Sequence, residues 1–354
     1  MERDESKGLT VIAGPCSAES KEQMILTANK LSSMGIKIFR AGIWKPRTKP
    51  GGFEGAGEQG LRWLKSVKET TGMQTATEVA NALHVEKALK YGVDILWIGA
   101  RTTTNPFAVQ EIADALKGSN VPIMVKNPVN PDLELWIGAI ERFQNAGLDS
   151  VSAIHRGFSS YGKKVFRNPP MWHIPFELRR RMPNLPIICD PSHISGNAAL
   201  IQAVSQQAVD MGFDGLMIET HINPEAALSD KLQQITPERL KEILETLEMR
   251  NYCLTSDSLV DLRREIDCID EQLIEILARR MRISREIGLF KKKNAIPVLQ
   301  TSRYDEIMTN RLSVAETMGI NRDFMKELLE ILHEESVKQQ IDEIERTTHR
   351  SQGE

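Results

Sequence analysis

The sequence predicts an α/β fold, a (β/α)8 TIM barrel, followed by an all-α three-helix domain that forms an intertwined dimer. Three observations carry this expectation. Short β-rich runs alternate with longer amphipathic stretches through roughly the first 250 residues, glycine, proline and tryptophan then thin out abruptly, and apolar residues thereafter recur every three or four positions.

The β-rich runs are TVIAG (10–14), KIFRAG (37–42), MQTATE (73–78), DILWIGA (94–100), PIMVKN (122–127), SVSAIHR (150–156), PIICD (186–190) and GLMIET (215–220). Helical patterns separate most of them, for instance over 21–34, 81–91, 107–116 and 197–211. Eight such units in roughly 240 residues fit a closed barrel better than an open sheet, and no GxGxxG follows the first run. Twenty of 23 glycines, 15 of 16 prolines and all five tryptophans precede residue 251. The expected division is therefore a barrel over 1–248, a linker over 249–256, a helical domain over 257–350 and a tail over 351–354. In the helical part Leu259, Leu262, Ile266, Ile269, Leu273, Ile276, Ile283, Ile287 and Phe290 keep a helical spacing with no breaker before Pro297. A helix of about 35 residues is about 50 Å long, too long to bury its apolar face within a domain of this size, so it should pair with a second copy. Two further helices are expected over 302–318 and 321–347.

Composition excludes several classes. A net charge of −3 lacks the basic footprint of a nucleic-acid binder. No apolar run is long enough for a membrane helix, and the charged N-terminus does not read as a signal peptide. Four cysteines are too few for a disulfide framework and suit a reducing compartment, so a cytoplasmic location is expected.

Catalytic groups of a barrel sit where its strands end. The first run ends in Gly14-Pro15-Cys16-Ser17, the seventh in Asp190-Pro191-Ser192-His193 and the eighth in Glu219-Thr220-His221, with Asp230 eleven residues beyond Glu219. A thiolate, an imidazole and two carboxylates on one rim make a mixed S/N/O site for a divalent metal. Each alone is more often structural; their coincidence at strand ends favours the metal. Cys189, Cys253 and Cys268 read as ordinary small apolar residues. A second group is cationic: Arg40, Lys45, Arg47, Arg101, Lys126 and Arg156. Solvated rim charges would account for Arg47 alone, but Arg40 and Lys126 lie inside apolar runs, where a cation is expensive without an anion. The set implies substrates carrying phosphates and a carboxylate. A Schiff-base aldolase would want one desolvated lysine and fits the surrounding cations less well.

The motifs AGPCS, FRAGIWKPRT, TATE, IGAR, MVKNP, HRG, DPSH and IETH, followed by a later SD, run in order and together resemble the metal-dependent 3-deoxy-D-arabino-heptulosonate 7-phosphate (DAHP) synthases. Enzymes that condense phosphoenolpyruvate with longer sugars share this frame, and the KPRT tetrapeptide favours erythrose 4-phosphate as acceptor. The resemblance implies one divalent metal ion per barrel, Mn2+ or similar, held by Cys16, His193, Glu219 and Asp230. It implies that Arg101, Lys126 and Arg156, helped by Arg40 and Lys45, hold phosphoenolpyruvate, and that Arg47 and Thr48 take the phosphate of erythrose 4-phosphate. Lys126 is the candidate for proton handling and Glu78 for orienting the attacking water.

On the long helix, Arg280 and Lys291 are eleven residues apart and fall within roughly 20° of one face, whereas Arg263 lies about 100° from Arg280. Ser336 and Gln340 share a face of the last helix. Composition alone reads these as a solvated surface on a dimerising bundle. The segment LVDLRREIDCIDEQLIEILARRMRISREIGLFKKK, then PVLQTSR and ESVKQQ, is similar to the all-helical chorismate mutases. That resemblance implies that Arg263 crosses into the partner's pocket, and that Arg280, Lys291, Arg303, Ser336 and Gln340 line the other side around chorismate. Tyr304 and Gln300 stand where the family often has acids, so a reduced but real activity is expected. The small molecules phosphoenolpyruvate, erythrose 4-phosphate and chorismate are the expected ligands, with a homodimer through the helical domain or a higher oligomer as the assembly. The barrel begins within about ten residues of Met1, so any feedback is expected to come from chorismate or prephenate on the helical domain.

Overall fold

The computed structural model describes residues 8–45, 51–162, 165–249, 257–299 and 301–351. The chain separates into two compact units, residues 1–252 and 253–354. The expected linker lies almost wholly outside the described residues.

The first unit runs β1 (Thr10–Gly14), α1 (Lys21–Ser33), β2 (Ile38–Arg40), α2 (Glu58–Thr71), β3 (Gln74–Val79), α3 (Ala82–Lys90) and β4 (Ile95–Ile98). It continues with α4 (Ala100–Thr103), α5 (Pro106–Ala115), β5 (Ile123–Lys126), α6 (Leu133–Asn145), β6 (Val151–His155) and α7 (His173–Arg181). It ends with β7 (Ile187–Cys189), α8 (Pro191–Ser195), α9 (Ile201–Asp210), β8 (Gly215–Glu219) and α10 (Pro237–Thr246). All neighbouring strands are parallel, and β8 closes on β1 from Thr10↔Gly215 to Gly14↔Glu219. Parallel strands in a closed ring end on one rim, so residues distant in sequence meet there.

Alternation along each strand builds two cores. Ile12, Ala76, Ile95, Trp97, Met124, Ile154, Ile188 and Met217 fill the barrel interior, while their neighbours, among them Ala13, Leu96, Val125, Ala153 and Leu216, pack outward under the helices. Side-chain caps start several helices: Ser20 accepts from Gln23 N–H, Asn81 from His84 N–H and Asp132 from Leu135 N–H. Gly14 has φ +145°, and a Cβ there would stand 2.1 Å from the Arg40 carbonyl oxygen, so only glycine lets the β1 and β2 ends approach this closely.

Three expectations shift. The fourth strand ends at Ile98 rather than at residue 100, and Arg101 falls in α4; the sixth ends at His155, so Arg156 follows it. The expected 197–211 helix is split, with a 3-10 turn at Ala198–Leu200 before α9. A capping Asn197, whose side chain accepts from Ala199 N–H, tightens that first turn.

The second unit has α11 (Asp257–Lys293), α12 (Thr301–Thr317) and α13 (Arg322–Ser351), with α11 and α13 packed along one another. Gly288 sits at their close approach, where a Cβ would lie 2.9 Å from the Cα of Gln340. Leu262, Ile266, Ile269, Leu273 and Ile276 are between 50 % and 63 % exposed within this unit. Cys268, read from the sequence as a small apolar packing residue, is exposed as well; Cys189 is buried as expected, and Cys253 lies outside the described residues. Among the described residues no helix is long and apolar enough to cross a membrane.

Candidate active sites

The C-terminal rim of the barrel surrounds a cavity of ≈ 260 Å³ lined by Lys45, Glu78, Arg101, Lys126, Arg156, Arg167, Asn168, His193 and Asp230, with Ala100 and Val129. Five cations face two carboxylates, an arrangement made for anions. Lys126, the last residue of β5, is 4 % exposed, and its Nζ lies 2.8 Å from Asp190 Oδ2 and 5.9 Å from the centre of the Trp97 ring. Burial would raise the Asp190 carboxyl, but His193 and Lys126 outweigh it and hold it well below its ordinary value. Asp190 also caps α8 by accepting from His193 N–H at 3.0 Å, so one carboxylate fixes both the helix that carries His193 and the ammonium of Lys126. Burial pulls the Arg156 guanidinium down to about 10, with Asp190 opposing the shift. Its backbone N–H donates to Asn127 Oδ1 at 2.7 Å and its Nη1 to Asn168 Oδ1 at 3.0 Å, which aims the side chain across the rim. Glu78 accepts from Trp97 Nε1 at 2.9 Å.

Arg40 is placed differently from expectation. It is 1 % exposed and does not line the cavity; it lies beneath, with Nη2 donating to the Cys16 carbonyl at 3.2 Å and Nη1 3.3 Å from Glu219 Oε1. Its guanidinium stacks 4.9 Å from the Trp97 ring centre. A buried cation compensated by a carboxylate and an aromatic face is held firmly under the rim. Arg47 and Thr48 lie outside the described residues.

The four expected metal ligands come together as two pairs. Cys16 Sγ is 3.4 Å from Asp230 Oδ2, and His193 Nε2 is 3.7 Å from Glu219 Oε1. Such separations suit donors bound to one ion at about 2.0–2.3 Å. Among the described residues, however, no three His, Cys, Asp or Glu side chains close into a formed metal cage. Lys45 Nζ donates to Cys16 Sγ at 2.9 Å. The donors themselves fit a divalent ion. Burial, with Glu219 adding to it, pushes the Cys16 thiol up to about 12, so a thiolate there calls for a cation against it. Burial would lower Lys45, but Cys16 and Glu219 outweigh it and keep the ammonium above its ordinary value. Glu219 Oε1 is buried without a hydrogen bond, an acceptor open to a further cation. The nearby His221, also at a strand end, faces Glu19 instead, with Nε2 3.6 Å from Glu19 Oε2.

Sequence reasoning passed over Asp190, Arg167 and Asn168. Asp190 stands in the DPSH motif and its capping position before Pro191 was a usable signal; Arg167 and Asn168 sit in the loop after β6, where no periodicity marks them.

In the helical unit a cavity of ≈ 660 Å³ is lined by Arg279, Arg280, Lys291, His333, Ser336 and Gln340 among apolar Ile276, Ile283, Ile287, Val298, Ile307 and Val337, with Ser284. Arg280 and Lys291 thus share one face, as their spacing predicts. Arg280 Nη1 donates to the Leu332 carbonyl at 2.9 Å and to Ser336 Oγ; Lys291 Nζ donates to the Val298 carbonyl at 2.6 Å. Burial lowers both cations from their ordinary values. Arg263 is exposed and lies away from this cavity. Gln300 and the Arg303 side chain lie outside the described residues. Tyr304 meets His333 edge-to-face at 4.7 Å, so the position that is often acidic carries an aromatic pair here. His333 was not foreseen, since a lone histidine on a helix gives no pattern.

The sequence model of the DAHP synthetase I family matches residues 4–255, and that of chorismate mutase type II matches 262–341. The phospho-2-dehydro-3-deoxyheptonate aldolase of Thermotoga maritima is 34 % identical over 239 residues, 68 % of this chain and 69 % of its own. The 2-dehydro-3-deoxyphosphooctonate aldolase of Wolinella succinogenes is 27 % identical over 265 residues, 68 % of this chain and 98 % of its own. The crystal structure of the Thermotoga maritima DAHP synthase superposes with a TM-score of 0.61 at 33 % identity, covering 67 % of each chain.

Proposed function

The chain belongs to the DAHP synthetase I family and carries a chorismate mutase type II domain behind it, and from that membership we propose how its two sites work. It is a DAHP synthase, condensing phosphoenolpyruvate with erythrose 4-phosphate, and a chorismate mutase, rearranging chorismate to prephenate. The division between the two is proposed at residues 249–256.

In the barrel, Arg101, Lys126 and Arg156 take the carboxylate and phosphate of phosphoenolpyruvate, Lys45 borders both substrates, and Arg47 and Thr48 take the acceptor's phosphate. Their charge lets two mutually repelling anions stay in contact while C3 of the enol phosphate bonds to the aldehyde carbon. Water then adds at C2 and phosphate leaves. Lys126, held by Asp190, supplies or accepts the proton at the reacting end of phosphoenolpyruvate, and Glu78 orients the water. Cys16, His193, Glu219 and Asp230 would hold one divalent ion, Mn2+ or similar, which when bound supplies Lewis-acid polarisation of the aldehyde. The observation that carries this reading is the convergence of five cations on one small rim cavity beside that donor set.

In the helical domain the apolar wall and the pair Arg280 and Lys291 grip a dicarboxylate in the compact shape that its rearrangement needs. Gln340 and Lys291 stabilise charge at the ether oxygen as the bond breaks, Ser336 and Arg303 hold carboxylates, and Arg263 reaches the pocket from a second copy. The exposed apolar ridge of α11 supports a homodimer, and the free thiols support a cytoplasmic enzyme. Prephenate on the helical domain is proposed to lower synthase activity. Full-length chain offered erythrose 4-phosphate and arabinose 5-phosphate separately, with phosphoenolpyruvate, tests the synthase reading. Phosphate release is expected with the four-carbon acceptor, and preference for the five-carbon one would reverse the acceptor assignment. Prephenate inhibition that survives Arg280→Ala would sink the feedback proposal.

A further inference from the structure

Two adjacent glutamines, Gln233 and Gln234, are 1 % and 2 % exposed and close the 3-10 turn that follows Asp230. Burying a carboxamide is costly unless both its ends are paired. Here both are, and the partners belong to the rim. Gln233 Nε2 donates to Glu219 Oε2 at 2.7 Å, while Gln233 Oε1 accepts from Arg167 Nη1 at 2.6 Å. The same Arg167 nitrogen lies 3.1 Å from Asp230 Oδ1. Gln234 Oε1 accepts from the Cys16 N–H at 2.9 Å and its Nε2 donates to the Ser229 carbonyl at 2.8 Å. Two neighbouring side chains therefore tie the end of β1, the end of β8 and the Asp230 loop to one another.

The pairing also breaks the symmetry of the Glu219 carboxylate. Oε2 is taken by the amide of Gln233, whereas Oε1 has no hydrogen bond and faces His193 Nε2 at 3.7 Å and Arg40 Nη1 at 3.3 Å. We propose that Gln233 is a positioning residue of the metal site, selecting Oε1 of Glu219 as the ligating oxygen and, through Arg167, setting the Asp230 carboxylate, while Gln234 fixes the chain at Cys16. This rests on the metal reading above. The amide serves both arms, since its nitrogen donates to a carboxylate and its oxygen accepts from a guanidinium. His193 Nδ1 lies 2.8 Å from Asp190 Oδ2 and Nε2 lies 3.7 Å from Glu219 Oε1, so Nε2 is the nitrogen on the Glu219 side.

The test is Mn2+ titration of the metal-free, full-length chain, read by the electron paramagnetic resonance of free Mn2+ and by the rise in Tm on Mn2+ addition. Gln233→Met keeps the volume and removes the amide; it should weaken Mn2+ binding about 10- to 100-fold and shrink the Mn2+-induced rise in Tm. The Tm of the metal-free chain should fall, because Glu219 Oε2 loses its buried donor; a merely structural role would give that fall with Mn2+ affinity unchanged. Arg167→Met, at a half-exposed position, removes only the Asp230 arm and should give a smaller loss, and it keeps the question open to test should the first variant fold poorly. Far-UV circular dichroism of each metal-free variant reports that the barrel is folded. Unchanged Mn2+ affinity in both variants overturns the positioning role, whereas a wild-type chain that binds no Mn2+ overturns the metal reading beneath it.

Discussion

The barrel and the helical unit both gather cations to hold anions, yet they neutralise them in opposite ways. In the barrel three of the cations meet carboxylates: Lys126 has Asp190, Arg40 has Glu219, and the half-exposed Arg167 has Asp230. In the helical unit Arg280 and Lys291 are held by backbone carbonyls and a serine hydroxyl. Carbonyls orient a cation without cancelling its charge, so the second cavity keeps its full positive field for a dianion. The barrel must instead balance a crowd of cations close to two acidic ligands, and carboxylates placed beneath the rim do that. The cores differ in the same sense. The barrel fills its own interior, whereas α11 leaves a ridge of leucine and isoleucine uncovered.

The strongest way to break this contrast is to remove one cation from each site and assay both reactions. Lys126→Met should lower synthase turnover about 10³-fold or more and leave chorismate turnover unchanged, because the loss removes a charge at the reacting centre and strands Asp190. Arg280→Ala should reverse the pattern, lowering mutase turnover about 10²- to 10³-fold with synthase turnover unchanged in steady-state assays. Loss of both activities from either change would dissolve the two-site picture. A packing probe comes next: Gly288→Ala forces α11 from α13 and should destabilise the helical unit by about 1–3 kcal/mol, seen as an earlier unfolding step in a urea melt followed by circular dichroism. A single late transition at the wild-type midpoint would show that the contact is slack.

The smallest effect is a pH dependence confined to the barrel. His155 is fully buried among Trp136, Phe158, Trp172 and Phe213, and burial pushes its pKa from 6.5 down to about 3. Between those values the unfolded chain binds a proton that the folded chain refuses, so stability is full above pH 6.5 and falls as the pH drops toward 3. The slope is at most about 1.4 kcal/mol per pH unit. His155→Leu should flatten that slope in urea melts from pH 7 to 4.5; an unaltered slope would assign the acid sensitivity elsewhere.

How much of this was legible beforehand depends on the kind of signal. The strands were visible because buried parallel strands are continuous apolar runs between turn residues, and the observed ends fall within two residues of the expected ones. Helical spacing converts directly into angle, which put Arg280 with Lys291 and Ser336 with Gln340 on shared faces; that the two pairs line one cavity came from the family resemblance. Arg40 in a strand implied an anion; one such anion is Glu219, from β8, a pairing only the closed ring creates. Arg167, Gln233 and Gln234 were silent for the same reason. Their work is done on residues up to 218 positions away, and local pattern carries no trace of it.

The central claim is that one chain holds two independent sites, one dependent on a divalent ion and one not. The direct measurement is both assays on a single preparation of the full-length chain, before and after treatment with chelator and then with added Mn2+. The account predicts that phosphoenolpyruvate- and erythrose 4-phosphate-dependent phosphate release vanishes and returns, while chorismate conversion stays constant throughout. Chorismate left unconverted by the untreated chain, or synthase turnover untouched by the chelator, would contradict it.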